Sequence, residues 1–194
     1  MSKQIVIISG PTGSGESTLT KALIERFPGK ITRMVTATTR PPRDNEKDGV
    51  DYFFFSKEEF KKLEAEGVIP ESGYIANRDT YYGTYVPDLQ DKLAKGMVVV
   101  GNLQIQGTLF HKEHNNATTI FIDTESIEAL MRRIRARSPG LSEEEFALRE
   151  ADAAREIQEE RPLYDYFVLN ADGKLNEAVD RIVEILKKEG YNLE

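Results

Sequence analysis

Cysteine is absent from this chain of 194 residues. That excludes disulfides and any cysteine-based metal site. Long apolar runs are missing too. None approaches the roughly 20 residues of a membrane span, and the apolar stretch of the opening, MSKQIVIISGP, is too short for a signal peptide. Positive charge is in the minority: 26 basic against 33 acidic residues leave a net charge of -7. This argues against a general nucleic-acid or membrane surface, while a local basic cluster can still bind one small anion. Histidine is scarce. His111 and His114 lie three apart with no third ligand evident, and they read as solvated surface residues rather than a metal pair. There are no internal repeats and no low-complexity linker. What remains, with 39% apolar and 30% charged residues, is the profile of one cytoplasmic globular domain, monomeric or homodimeric.

The pattern that is present begins with Gln4–Ser9, QIVIIS, a β-branched run of the kind that forms a buried parallel strand. Ser17–Phe27 follows with apolar residues at helical spacing and stops at Pro28-Gly29. Between them lies GPTGSGEST: Gly10, Pro11, Thr12, Gly13, Ser14, Gly15, Glu16, Ser17 and Thr18. The spacing is that of a phosphate-binding loop, G-x-x-x-x-G-K-[ST], except that Glu16 stands at the lysine position. Backbone amides at a helix N-terminus make an anion nest whatever that side chain is, and the Ser17 hydroxyl can reach Mg²⁺. Taken alone, the stretch is also compatible with a tight strand-to-helix turn.

Further apolar runs at Ile31–Val35, Met97–Val100, Thr118–Ile122 and Tyr166–Leu169 predict strands. Helical patterns at Pro87–Ala94, Gln104–His114, Ser126–Arg137 and Asn176–Lys188 alternate with the later ones. Such alternation predicts a parallel sheet of about five strands flanked by helices. Two stretches interrupt it. Residues 36–95 hold extended segments, DYFFF and YYGTY, and a short helix opened by the capping-box pattern Ser56-Lys57-Glu58-Glu59. Phe53, Phe54 and Phe55 read as core of that small insertion. Residues 126–162 are arginine-rich, then highly charged, with a second capping pattern at Ser142–Glu145; apart from Arg149 the run reads as a solvated helix face. The closing GYNLE reads as a short tail, and Tyr164 and Tyr166 as framing the last strand.

In VTATTRPPRDNEKDGVDYFFF, Arg40 and Arg43 flank two prolines. A guanidinium pair on stiffened backbone suits bidentate capture of a phosphate, and by itself also suits an exposed basic turn. Joined to Tyr82-Gly83-Thr84 and the glycine loop, the combination is specific. TTRPPR, GVDYFFFS, YYGT, a strand running into IQG, the arginine-rich segment and YDYFVLNAD together resemble guanylate kinase, a P-loop nucleoside-monophosphate kinase family, nearly end to end.

The resemblance implies a P-loop NTPase kinase fold with a core (1–35, 96–125 and 163–194), an inserted GMP-binding subdomain (36–95) and a helical lid (126–162). It implies ATP as donor, GMP as acceptor and Mg²⁺. Residues 10–18 would hold ATP. Arg40, Arg43, Tyr52 and Tyr82 would grip the GMP phosphate, and Thr36, Glu71 and Thr84 would read the guanine. Arg137 and Arg149 would meet the transferring phosphoryl. Members of that family carry acids where this chain has Asn102 and Gln104, positions that help organise Mg²⁺ and the acceptor. Replacing one cation by an anion and two anions by amides leaves the local charge sum unchanged. Two readings follow. In one, Glu16 takes part in catalysis and, with Ser17, in holding Mg²⁺, while lid arginines supply the missing cation. In the other, the fold is a catalytically silent GMP-binding or protein-interaction module. The stake is large, since an ionised carboxylate ~4 Å from a phosphate costs about 4 kcal/mol at an effective dielectric near 20.

Overall fold

The computed structural model describes residues 3–194; residues 1 and 2, with which the expected core range begins, lie outside it. The chain runs β1 (Ile5–Ser9), α1 (Glu16–Arg26), β2 (Ile31–Arg33), β3 (Thr36–Thr38), β4 (Phe53–Phe54), α2 (Lys57–Ala65), β5 (Ser72–Ile75), β6 (Thr80–Thr84), α3 (Val86–Ala94), β7 (Val98–Gly101), α4 (Ile105–Asn115), β8 (Thr118–Asp123), α5 (Ile127–Arg137), α6 (Glu143–Arg155), β9 (Tyr166–Leu169) and α7 (Leu175–Lys188). Five strands form one parallel sheet in the order β2-β7-β1-β8-β9. Its central strand is the β-branched run that ends at the glycine loop.

Strand alternation explains why β1 is apolar throughout. Val6 and Ile8 join a core with Leu19 and Leu23 of α1 and Ile182 and Leu186 of α7. Ile5 and Ile7 point the other way, against Met34, Leu89 and Val99. Each such fully buried side chain contributes about 1.5–3 kcal/mol. Both faces are thus covered, and ligands are left the carboxyl ends of the strands, where the connections from β1 and β7 diverge.

The second sheet, β4-β3-β6-β5, is mixed. Strand β3 pairs parallel with β4 and antiparallel with β6, which pairs antiparallel with β5. The run Ile31–Val35 therefore divides, with β2 ending at Arg33 and Thr36 opening the second sheet. Helix α2 packs Phe60 against Ala37 and Ile69, with Phe53 and Phe55 at the margin. Phe54 departs from the expected core and lies under the Arg40 guanidinium, 5.6 Å from ring centre to Cζ. Both expected capping boxes are formed, at Ser56 with Glu59 and at Ser142 with Glu145; losing such an N-cap costs about 1 kcal/mol.

Helices α5 and α6 share a small core of Leu130, Met131, Ile134 and Ala153. Residues Glu156–Glu160 then form a π-helical turn, a geometry frequent at functional sites. The carboxyl end is no loose tail. Tyr191 and Leu193 are buried in the main core, and the Tyr191 hydroxyl accepts from the Thr118 amide at 3.1 Å and donates to the Ile5 carbonyl. No helix among the described residues is long and apolar enough to cross a membrane.

Candidate active site

The loop between β1 and α1 is held from behind. Asn170 donates its side-chain amide to the Ser14 carbonyl at 2.7 Å. Arg133 donates to the Asn170 carbonyl at 2.7 Å and to Asp172 at 2.8 Å. Gly15 sits at φ +100°, and a Cβ there would come within 2.3 Å of the Asn170 amide nitrogen, so both conformation and space require glycine. Within the loop the Ser14 amide is taken by the Pro11 carbonyl at 2.9 Å. Pro11 and Ser14 are buried as scaffold.

A cavity of about 500 Å³ opens over this loop. Thr12, Gly13, Gly15, Glu16, Ser17 and Thr18 line one side, and Arg133, Arg137 and Arg149 the other. Arg137 and Arg149 have no ion-pair or hydrogen-bond partner among the described residues, so two guanidiniums face the cavity uncommitted. Gly10, Thr12 and Glu16 also line an adjoining space with Glu156, Glu160, Asn102 and Gln104.

Glu16 is the unusual group here. Burial, reinforced by the neighbouring Glu156 carboxylate, raises its pKa to about 8. Glu156 is itself raised to about 7 by burial and by Glu160. Without ligand, neutral pH thus favours the protonated form of Glu16, in which the repulsion expected of an ionised carboxylate does not arise. The charged run containing Glu156 is therefore not only a solvated face. Asn102 is anchored at both ends of its amide, the oxygen accepting from Thr20 at 3.1 Å and the nitrogen donating to the Ile8 carbonyl at 2.9 Å, with one donor and one acceptor site left over.

A second cavity, about 280 Å³, lies between the two sheets. Thr36, Arg40, Arg43, Tyr52, Glu71, Tyr82, Asn102 and Gln104 all line it, and Ser17 lines both this cavity and the first. Arg40 is tightly held. It makes two 2.6 Å bonds to Glu46 and one of 3.2 Å to the Tyr82 hydroxyl, and its Cζ lies 4.9 Å from the centre of the Tyr52 ring. The hydrogen bonds to Glu46 raise the Arg40 pKa above its ordinary value and lower that of Glu46 to about 2. Glu71 reaches the cavity despite the long segment that follows it. Burial raises its pKa, and donation from the Thr84 amide (2.9 Å) and hydroxyl (2.6 Å) opposes the rise. Thr84 itself is fully buried behind Glu71 rather than on the cavity wall.

His111 corrects the sequence reading. It is 1% exposed, with Nε2 2.8 Å from the Thr84 hydroxyl. Its burial follows from α4, where Gly107, Thr108 and His111 fall on one inward face, a spacing visible in the sequence. His114, by contrast, is exposed. Arg33, Glu46 and Arg78 on the second cavity, Arg133, Asn170 and Asp172 on the first and Glu156 in the adjoining space are further lining residues; Arg33, Arg78 and Glu156 lie outside every sequence motif, and Glu46, Arg133, Asn170 and Asp172 lie inside motifs that gave them no individual role.

Mg²⁺ prefers one or two carboxylates or hydroxyls completed by phosphate oxygens. Ser17 at the junction of the cavities and, in its ionised form, Glu16 beside it fit that partial donor set, so metal binding would draw the proton from Glu16. No cluster of three or more acidic or histidine ligands exists among the described residues, so the protein supplies only part of a coordination shell.

Comparison with known proteins gives a consistent result. The family model described as "Guanylate kinase" matches residues 2–189. The guanylate kinase of Rickettsia bellii is 37% identical over 186 residues, covering 95% of this chain and 94% of that protein. That of Hyphomonas neptunium is 38% identical over 184 residues, covering 94% and 82%. The crystal structure of guanylate kinase from Anaplasma phagocytophilum superposes with a TM-score of 0.72 at 31% identity, covering 98% of this chain and 88% of that one.

Proposed function

The chain belongs to the guanylate kinase family, and from that premise we infer how its residues divide the transfer of the γ-phosphoryl group of ATP to GMP, giving ADP and GDP. The carrying observation is that the loop cavity and the Arg40–Glu71 cavity meet at Ser17. A donor and an acceptor placed one in each would bring their phosphates together there.

The acceptor side comprises residues 36–95. Arg40, Arg43, Tyr52 and Tyr82 hold the GMP phosphate, and Thr36 and Glu71 face the base. A carboxylate accepts from both N1–H and N2–H₂ of guanine, and adenine offers no such donor pair. Asn102 and Gln104 border this site from the core. On the donor side, the loop residues 10–18 cradle the ATP phosphates. Arg137 and Arg149, on a lid spanning 126–162, supply the positive charge that Glu16 does not, where charge builds on the transferring group. An oxygen of the GMP phosphate bonds to the γ-phosphorus as its bond to the β-bridging oxygen breaks, and no covalent enzyme intermediate forms. Ser17 and, once it gives up its proton, Glu16 would hold Mg²⁺, which would supply neutralisation of phosphate charge. Lid closure excludes water from the transfer. The reading keeps the protein in the cytoplasm with its nucleotides.

Limited proteolysis tests the division of labour. Millimolar GMP slows cleavage within 36–95, and a non-hydrolysable ATP analogue slows cleavage within 126–162. GMP without effect on 36–95 contradicts the acceptor assignment.

A further inference from the structure

His111 lies one helical turn beyond Gly107 on α4, so the two share a face toward Glu71. At Gly107 even a Cβ would come within 2.9 Å of Glu71 Oε2, so this turn of α4 closes against the carboxylate. His111 Nε2 lies 2.8 Å from Thr84 Oγ1, which lies 2.6 Å from Glu71 Oε1. The hydroxyl has one proton. Its other acceptors, Met34 Sδ at 3.8 Å and an Nε2 lone pair of His111, are weaker than a carboxylate oxygen. The proton therefore goes to Glu71, and Thr84 Oγ1 accepts from His111. That fixes the tautomer: hydrogen on Nε2, lone pair on Nδ1. The Nδ1 atom is buried without a hydrogen-bond partner among the described residues.

An unpaired ring nitrogen in the interior is costly, and an aliphatic side chain would avoid it. What the imidazole offers in return is the Nε2–H. We propose that His111 is a positioning residue for base recognition, holding the Thr84 hydroxyl so that its proton stays on Glu71 Oε1 and the carboxylate stays set toward the base. The inference rests on the acceptor reading above. A donor at Thr84 Oγ1 prevents the hydroxyl from turning away, and the hydrogen bonds in series strengthen one another. Burial lowers the His111 pKa to about 4, opposed by the nearby Asn115 side chain, which is not within hydrogen-bond geometry of Nδ1, so the ring holds a single proton at neutral pH.

Two substitutions and one spectrum test this. His111→Leu removes the donor, and His111→Gln places an amide N–H near the position of Nε2. The expected result for His111→Leu is about tenfold weaker GMP, in Kd by calorimetry and in KM, with kcat and the KM for ATP within about twofold. His111→Gln recovers most of the loss. A folded His111→Leu protein that binds GMP as tightly as the unmodified chain overturns the proposal, as do equal losses for GMP and ATP or a loss that glutamine does not repair. A chain that binds GMP but makes no GDP contradicts the kinase reading alone, because the Kd comparison still reports on His111. In a His114→Gln background the one remaining imidazole is read by nitrogen NMR of the whole protein. A neutral ring protonated on Nε2 is expected, and a ring protonated on Nδ1 overturns the tautomer on which the proposal stands.

Discussion

The cavity lined by Arg40 and Glu71 and the cavity lined by Arg137 and Arg149 differ in how their charges are held. On the acceptor side the central pair of charges, Arg40 and Glu71, is already engaged, while the Arg43 guanidinium beside them has no partner among the described residues. Arg40 is forked by Glu46 and braced by Tyr82, and Glu71 takes two bonds from Thr84. Their partners Tyr82 and Thr84 stand on the paired strand β6, with Arg40 and Glu71 just outside β3 and β5, so part of the ordering entropy is met by the fold before ligand arrives. On the donor side the two arginines are uncommitted, and burial and the neighbouring Glu156 raise the pKa of the acid at the lysine position. The helices that carry them share a core of only a few buried side chains. The contrast separates recognition from catalysis. On the proposed reading, the acceptor site holds its central charges in place before GMP binds, whereas the donor site is completed by lid arginines that engage the nucleotide.

Substitutions on the two sides should therefore fail differently. The largest effect is expected from Arg149→Ala: kcat falls about a thousandfold, the order seen for arginines on a transferring phosphoryl group, while the KM for GMP stays within about threefold. A large rise in that KM would erase the distinction. Arg43→Ala should do the reverse, weakening GMP about thirtyfold by loss of a charge-assisted contact and leaving ATP nearly unchanged in calorimetry. Equal losses for both nucleotides would misassign the arginine pair. Gly107→Ala, whose Cβ would press on Glu71 Oε2, should raise the KM for GMP about tenfold without lowering kcat.

The smallest effect concerns stability and belongs to the donor side. Glu16 keeps its proton up to about pH 8 when folded but ionises near its ordinary value of 4.5 when unfolded. Folding takes up a proton across that interval, so this group's contribution makes stability fall as pH rises from about 4.5 to about 8. Glu16→Gln removes that slope. Thermal unfolding should show the variant a few degrees more stable at pH 8 and no different at pH 4. Superimposable curves at pH 8 would mean that Glu16 is ionised in the folded protein.

What could be read from sequence follows the same division. The glycine loop, the Arg40–Arg43 pair and both capping boxes are local patterns whose spacing carries the physics. The parallel sheet was legible because β1, β7 and β8 are short β-branched runs alternating with helical ones. Other features depend on partners distant in sequence. Asn170 and Arg133 brace the Ser14 carbonyl from more than a hundred residues away. The raised pKa of Glu16 comes first from its burial and then from Glu156, in a stretch that looks like solvated helix. His111 read as a surface residue because only the packing of α4 against Thr84 and Glu71 makes it interior. Tyr191 looked like tail because its partners, Thr118 and Ile5, lie on other strands.

Quantifying GDP by chromatography, from purified protein with ATP, Mg²⁺ and GMP beside a Glu16→Lys variant, tests most directly whether a donor site built on Glu16 is competent. The expected result is GDP from the unmodified chain at turnover well above background. No GDP from the unmodified chain, with activity appearing in Glu16→Lys, would contradict it and leave a GMP-binding module on a kinase scaffold.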